Sequence, residues 1–479
     1  MTKATLSRQI KENPTNKRKE IKQITEKMKR ILTILATIAV VASTAAQTTR
    51  ERILADPTLA AGVYRPYPTE VPEPSPVPKG YEPVYISHYG RHGSRFIEFN
   101  SEFEAVMSVF ERAANEGALT ALGRDTYDKL LEVSKICAGR AGDLTQLGLQ
   151  QQHQIAGRMV EHHPAIFRNK PVVTATSTTV PRCLLSMNGF TNELVRRAPS
   201  VEMELLDTGL PYMAILNPLS GVRGTPLANR VDSYRWPDAE WVAEWNDYRD
   251  RLIDNSRLLN SLFAADFVPT IADSGLFVMH LFRNICSFGG TPAATVDFSQ
   301  VFTPEETYLW WKAVNIRYYI ERGNSGIGGG FISEIADTMV FDFLQEAHKR
   351  LAAGRPAVTL RFGHDGCIMC MLCSMGITGW SKRVDSWERI EDEACCDFTI
   401  PMASNFQWIF YRHKRSGEVL VKMMLNEEEV ELPLPSDRAP YYRWEDVERY
   451  CREQIADSTL YKFDFSRLTP TAVANDAKK

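Results

Sequence analysis

The chain is poor in what several function classes require. Its 479 residues carry no basic excess: 56 Lys and Arg stand against 59 Asp and Glu, a formal charge of −3. Binding of polyanions through global charge is excluded, and nucleic acid is not an expected partner. No second long apolar run follows the one at residues 31–42, so no stable membrane span is expected beyond it. The glycine-rich stretch Gly323 to Gly330 lacks a preceding strand and a Gly-Lys-Ser/Thr ending, and reads as a flexible loop rather than a nucleotide cradle. Cys367, Cys370 and Cys373 lack a fourth partner at iron–sulfur spacing, since Ile377 and its neighbours stand there. A zinc site with His364 nearby is the alternative for these thiols. Their spacing of three puts them on one helix face among Ile368, Met369, Met371 and Leu372, where cysteine acts as a small hydrophobe. No metal and no cofactor are expected. The nine cysteines leave at least one thiol unpaired within the chain. There is no internal repeat.

The first 46 residues read as a separate segment. Residues 1–27 are polar and lysine-rich; Met28-Lys29-Arg30 then precedes the apolar run Ile31 to Ala42 and the small residues Ser43-Thr44-Ala45-Ala46. A positive start, a short apolar stretch and an alanine-rich end form the pattern of a secretory signal, too short for a bilayer span. The expectation is export to the periplasm or the extracellular space, with Met1 or Met28 as the start. No cysteine near the cleavage region offers a lipid anchor. Residues 1–46 hold 10 of the 56 basic residues and 3 of the 59 acidic ones, so the remainder carries 46 against 56 and a charge of −10. An anionic ligand must then be drawn by a local basic pocket.

What is there begins with His88-Tyr89-Gly90-Arg91-His92-Gly93-Ser94-Arg95, directly after the apolar run Val84-Tyr85-Ile86-Ser87. Such a run ending in glycines predicts a buried strand turning into a tight loop. Arginine presents a planar fork matched to phosphate oxygens, and glycines let backbone N–H groups approach the same anion. An imidazole in that field is biased toward its neutral, nucleophilic form. The expected chemistry is a phosphate site with a histidine nucleophile, against the alternative of a basic surface loop with chance spacing.

Three later patterns extend this reading. Leu144-Thr145-Gln146-Leu147-Gly148 opens a helical stretch to His162, with Thr145 as its N-cap. The run Val172 to Thr178 leads to Arg182, Ser186 and Phe190. The run Val358 to Gly363 ends in His364-Asp365. With Arg91-His92-Gly93-Ser94-Arg95 as an RHGxR signature, the chain resembles the histidine phosphatase superfamily in its acid phosphatase and phytase branch, and is similar to the multiple inositol polyphosphate phosphatases. The resemblance implies that His92 attacks phosphorus to form a phosphohistidine and that Asp365 is the proton donor. It also implies that Arg91, Arg95, Arg182 and His364 hold the phosphoryl oxygens. His88 is a residue supporting that shell, an outer-sphere contact to the phosphate, or a histidine packed at a strand end. Two departures stand out. Ile97 replaces a loop-shaping proline, and His364-Asp365-Gly366 replaces the His-Ala-Glu usual in the inositol polyphosphate branch.

The fold expected is α/β, a mostly parallel sheet flanked by helices with an inserted α-helical cap. Strand-like runs lie at Val84–Ser87, Val172–Ala175, Val358–Phe362, Phe406–His413 and Val419–Leu425. Residues 47–204 and 348–479 would form the core, with the Pro-rich stretch Pro66 to Pro83 as a lead-in, and 205–347 the cap. Trp236, Trp241, Trp245, Trp310 and Trp311 are read as cap core. Arg223, Arg230, Lys312, Arg317 and Arg322 are candidates for further phosphate contacts, each alternatively a solvated surface charge. The function implied is an exported phosphomonoesterase acting on inositol polyphosphates such as phytate. The alternatives are a broader acid or sugar phosphatase using the same residues, and a silent phosphate-binding module. Intact His92, Arg182 and Asp365 speak against the last.

Overall fold

All five runs expected as strands are strands in a computed structural model. It describes residues 47–98, 101–220, 237–329, 332–394 and 396–455. The signal-like segment at 1–46, Arg223, Arg230, Trp236, Gly330 and Cys395 lie outside the described residues. Residues up to Ala55 form a separate unit that contains the helix Thr49–Ala55.

Among the described residues, eight strands form one mixed sheet: β1 Tyr81–Arg91, β2 Val172–Ser177, β3 Glu202–Thr208, β4 Ala357–Gly363, β5 Asn405–His413, β6 Val419–Leu425, β7 Glu428–Val430 and β8 Tyr441–Arg443. The order is β3-β2-β4-β1-β5-β6-β7, with β8 also paired to β6. The strands β3, β2, β4 and β1 run parallel, while β5 to β8 join antiparallel. Parallel strands end together at one edge, and ligand sites of α/β sheets gather there. In this chain β1 and β4 stay in register up to Arg91 opposite Gly363, which brings His92 beside His364-Asp365.

Every residue of β4 is buried, as expected of a strand covered on both faces. Its side chains alternate. Val358, Leu360 and Phe362 join Ile155, Met187, Phe190 and Leu194 from helices Gln146–His162 and Pro181–Arg197 in one core. The opposite face packs on helices Asp337–Ala353 and Trp444–Gln454, with Phe343 against Trp408 and Trp444 against Phe410.

A layer of helices and loops lies outside the sheet sandwich. Helix Ser101–Asn115 packs on Ser274–Ser287, and Ala121–Ile136 on Ser256–Leu262. The apolar stripe Phe103, Val106, Phe110 explains the first pairing, since Phe110 meets Phe263 and Phe277. Helix Pro304–Arg322 is opened by a capping box between Thr303 and Glu306 and buries Trp310 and Trp311 completely. Trp245 is equally buried, so these aromatics are interior packing. Among the described residues, no helix is long and apolar enough to cross a membrane.

Candidate active site

The signature loop is held by close backbone packing that the sequence motif encodes. A Cβ on Gly93 would lie 2.2 Å from the carbonyl oxygen of Gly148, and one on Gly148 would lie 2.2 Å from that of Ser94. Only glycine at both positions lets the first turn of helix Gln146–His162 touch the loop. Thr145 caps that helix by accepting from the Gly148 amide at 3.1 Å, and its hydroxyl lies 2.9 Å from the Ser94 carbonyl. Gln152 donates to the Arg91 carbonyl at 3.0 Å, Ser94 donates to Gln151 at 2.9 Å, and Gly93 donates to Ser186 at 3.1 Å. From the other side, Ala403 donates to the His92 carbonyl at 3.0 Å. The loop's backbone is thereby fixed before any ligand arrives.

His92 is buried, and its Nδ1 lies 2.9 Å from the Gly93 carbonyl oxygen. A carbonyl can only accept, so Nδ1 carries the proton and Nε2 keeps its lone pair. Burial, then Arg182, Arg91, His364 and Arg95 hold the imidazole well below its ordinary value. The His364 ring stands edge-on with its centroid 5.7 Å away, and burial with Arg182 brings its value down to about 3. Both rings are neutral in the free site.

The sequence-expected residues converge. Arg91, Arg95, Arg182 and His364 all act electrostatically on His92. Arg182 sits in the first turn of Pro181–Arg197, and its Nε is buried without a partner, as is that of Arg91. Buried, unanswered guanidinium donors facing two neutral imidazoles form a cradle for an oxyanion. Glu98 partly balances them, 3.2 Å from Arg182 and 3.5 Å from Arg95. Burial pushes the Asp365 carboxyl up, but Arg91 (3.4 Å away) and Arg322 pull harder and keep it below its usual value. Asp365 opens helix Asp365–Ser374, where a carboxylate also complements the helix dipole.

His88 stands apart. It is wedged between Phe190 and Phe362 and against Gly90, its Nδ1 without a partner, and burial holds it at about 3. That is the packed strand-end alternative. Cys367, Cys370 and Cys373 are buried on the helix after Asp365, and their thiols meet three different oxygens, those of Asn217, Arg322 and Trp380. Burial raises all three thiols.

An open cleft of about 480 Å³ leads to the cradle, lined by Arg182, Asn217, Arg317, Arg322, His364 and Asp365 among others. Arg317 is no solvated charge: it is buried and paired with Glu321 at 3.3 Å. Lys312 is bound to Glu391 at 2.7 Å. Sequence reading missed Glu98 and Tyr89; the Tyr89 hydroxyl accepts from the His364 amide at 3.0 Å and donates to the Leu216 carbonyl at 2.6 Å. The Arg317-x3-Glu321 spacing was the available signal for that pair.

No family model matches the sequence, and no curated protein matches it. Solved structures do match in fold. The multiple inositol polyphosphate phosphatase of Bifidobacterium longum, in complex with inositol hexasulfate, aligns with a TM-score of 0.69 at 20% identity, over 80% of this chain and 95% of that one. The phytase from D. castellii aligns with a TM-score of 0.63 at 14% identity, over 85% and 86%. The Klebsiella sp. ASR1 phytase aligns at 0.52 and 10% identity, over 78% and 96%. The chain therefore has the α/β fold of these proteins.

Proposed function

We propose that the chain is a histidine acid phosphatase that hydrolyses phosphomonoesters, with inositol polyphosphates such as phytate as its substrates. The carrying observation is a neutral His92 with a free Nε2 among Arg91, Arg95 and Arg182, two of which have unpartnered buried donors. The likeness in fold to phytases supports it.

In this reading the arginines and His364 hold the phosphoryl oxygens, and His92 Nε2 attacks phosphorus in line. The N–P bond forms as the P–O bond to the leaving group breaks, and Asp365 delivers a proton to the departing alkoxide. Water then attacks the phosphohistidine, gives its proton to Asp365 and releases inorganic phosphate and His92. Asp365 is a carboxylate in the free site. A phosphoryl dianion lying against Arg91 competes for that guanidinium and adds its own negative charge, and both effects raise the Asp365 value toward a working acid. The acid-rich remainder of the chain, at −10 without its first 46 residues, leaves attraction of substrate to this local cradle. Export is part of the proposal, supported by the signal-like pattern from Met28 to Ala46.

Phosphate release from phytate, from a hexose phosphate and from nitrophenyl phosphate tests the assignment, with His92→Ala alongside. Release from all three by the wild type alone, fastest from phytate, is expected. His92-dependent release that is faster from the hexose phosphate would move the substrate to the sugar phosphatase alternative. Release that survives His92→Ala would reject the mechanism.

A further inference from the structure

Arg91 is the only one of the cradle's arginines whose guanidinium is anchored to two loop carbonyls from distant parts of the chain among the described residues. Its Nη1 donates to the Val63 carbonyl at 2.5 Å and to the Ile400 carbonyl at 3.1 Å. Those anchors leave Nη2 to face Asp365. Neither carbonyl belongs to a strand: Val63 lies in the short 3-10 segment Pro57–Tyr64, and Ile400 follows the turn Asp397–Thr399. One backbone bond, from the Met402 amide to the Arg65 carbonyl at 2.8 Å, joins the two loops just beyond these carbonyls.

Asp397 is placed to hold them as well. Its side chain is buried, its Oδ1 accepts from Trp311 Nε1 at 2.8 Å, and the backbone amides of Val63 and Phe398 lie near enough to favour its charged form. Its own amide donates to Asn315 at 2.8 Å, fixing the turn to helix Pro304–Arg322. Gly62 is cut to fit: it has φ +54°, and a Cβ there would lie 2.1 Å from Asp397 Oδ2. We infer that Asp397 is a positioning residue, which holds the Val63 and Ile400 carbonyls at the spacing that aims Arg91 at the phosphoryl group. The inference rests on the reading of Arg91 as a phosphoryl ligand.

The cost of the arrangement argues that it is not filler. Burial pushes the Asp397 carboxyl up to about 7 even with the Trp311 N–H and two backbone amides opposing it. An apolar residue could close the same gap without that penalty, but it could neither accept from Trp311 nor attract the Val63 amide. The Val63 peptide would then be free to rotate its carbonyl away from Arg91.

The test compares Asp397→Asn, Gly62→Ala, Arg91→Ala and the double variant Arg91→Ala with Asp397→Asn. An asparagine turns one of its two ends into a donor, so the Trp311 N–H loses its acceptor or the attraction of a backbone amide is lost. Inhibition by inorganic phosphate, kcat/KM on nitrophenyl phosphate and melting temperature are measured for each. Asp397→Asn and Gly62→Ala should each weaken phosphate inhibition and kcat/KM about tenfold while remaining folded. In the Arg91→Ala background, Asp397→Asn should cost nothing further. Equal losses in both backgrounds, or an unchanged phosphate inhibition constant in either single variant, would overturn the inference while leaving Arg91 a ligand. Unchanged phosphate inhibition in Arg91→Ala would instead overturn the reading of Arg91 and this inference with it. Should Asp397→Asn fail to fold, Gly62→Ala and its double variant with Arg91→Ala carry the same comparison.

Discussion

Two groups of arginines meet at the cleft, and they are built differently. At the strand ends, Arg91 and Arg182 keep buried Nε donors without partners and face two neutral imidazoles. In the helical layer, Arg317 is paired with Glu321 and Arg283 with Glu102, whereas at the strand ends the single Glu98 is shared by Arg182 and Arg95. Buried cations short of counter-charge are costly unless a ligand answers them, whereas matched pairs are near electrical balance. The strand ends are thus set for one anionic group. The helical layer can at most shift partners toward further phosphates.

The difference can be broken in order of expected effect. His92→Ala should lower turnover of every monoester by roughly 10⁴-fold or more, because it removes the nucleophile. Arg182→Ala should cost about 10²–10³-fold in kcat/KM on nitrophenyl phosphate and phytate alike, the scale of one lost charge-stabilising donor. Arg317→Ala should behave otherwise, losing about tenfold on phytate with little change on nitrophenyl phosphate. Equal losses for both substrates would erase the distinction between the two groups. Asp365→Asn should cost about 10²–10⁴-fold on phytate, and much less on nitrophenyl phosphate, whose leaving group needs no proton.

Acid tolerance sharpens the same contrast. His92 is held well below its ordinary value, so its neutral form survives acidification. The kcat/KM profile should therefore hold as pH falls through about 6.5, where a free imidazole protonates. An acid limb centred there would contradict the field of Arg182 and Arg91 on His92. Stability runs the opposite way. His88 and His163 sit near 3 in the folded chain and near the ordinary value when unfolded, so the unfolded state binds more protons between those values. Stability from these groups is full above about 6.5 and falls toward 3, at up to about 1.4 kcal/mol per pH unit for each. Melting temperature followed from pH 7 to 4 should show it, with a shallower decline in His88→Leu.

Much of this was legible in the chain because close packing leaves residue types few options. Short apolar runs marked the strands, and Gly93 and Gly148 are fixed by backbone contact, so the patterns around them read out the loop and its helix. His92 followed from the loop after the first strand, while Arg182 and His364-Asp365 came from the family resemblance. What escaped depended on pairing across sequence distance. Helices Ser101–Asn115 and Ala121–Ile136 carry an ordinary amphipathic stripe, and nothing local says that it meets residues 256–287 instead of the sheet. Strand β3 has mostly exposed side chains at the sheet edge and so lacks the alternation that marks its neighbours. Glu98 and Asp397 look like any surface acids until the fold places one between two arginines and buries the other against Trp311.

The central claim is a covalent intermediate on His92, and trapping it is the direct test. The wild-type protein would be mixed rapidly with phytate, quenched in alkali to preserve an N–P bond, and its peptides analysed by mass spectrometry. The account predicts one phosphoryl group on the peptide containing His92, absent from His92→Ala and more abundant in a variant slow in the hydrolytic step. Steady release of phosphate with no phosphoryl group on that peptide at any time point would contradict it.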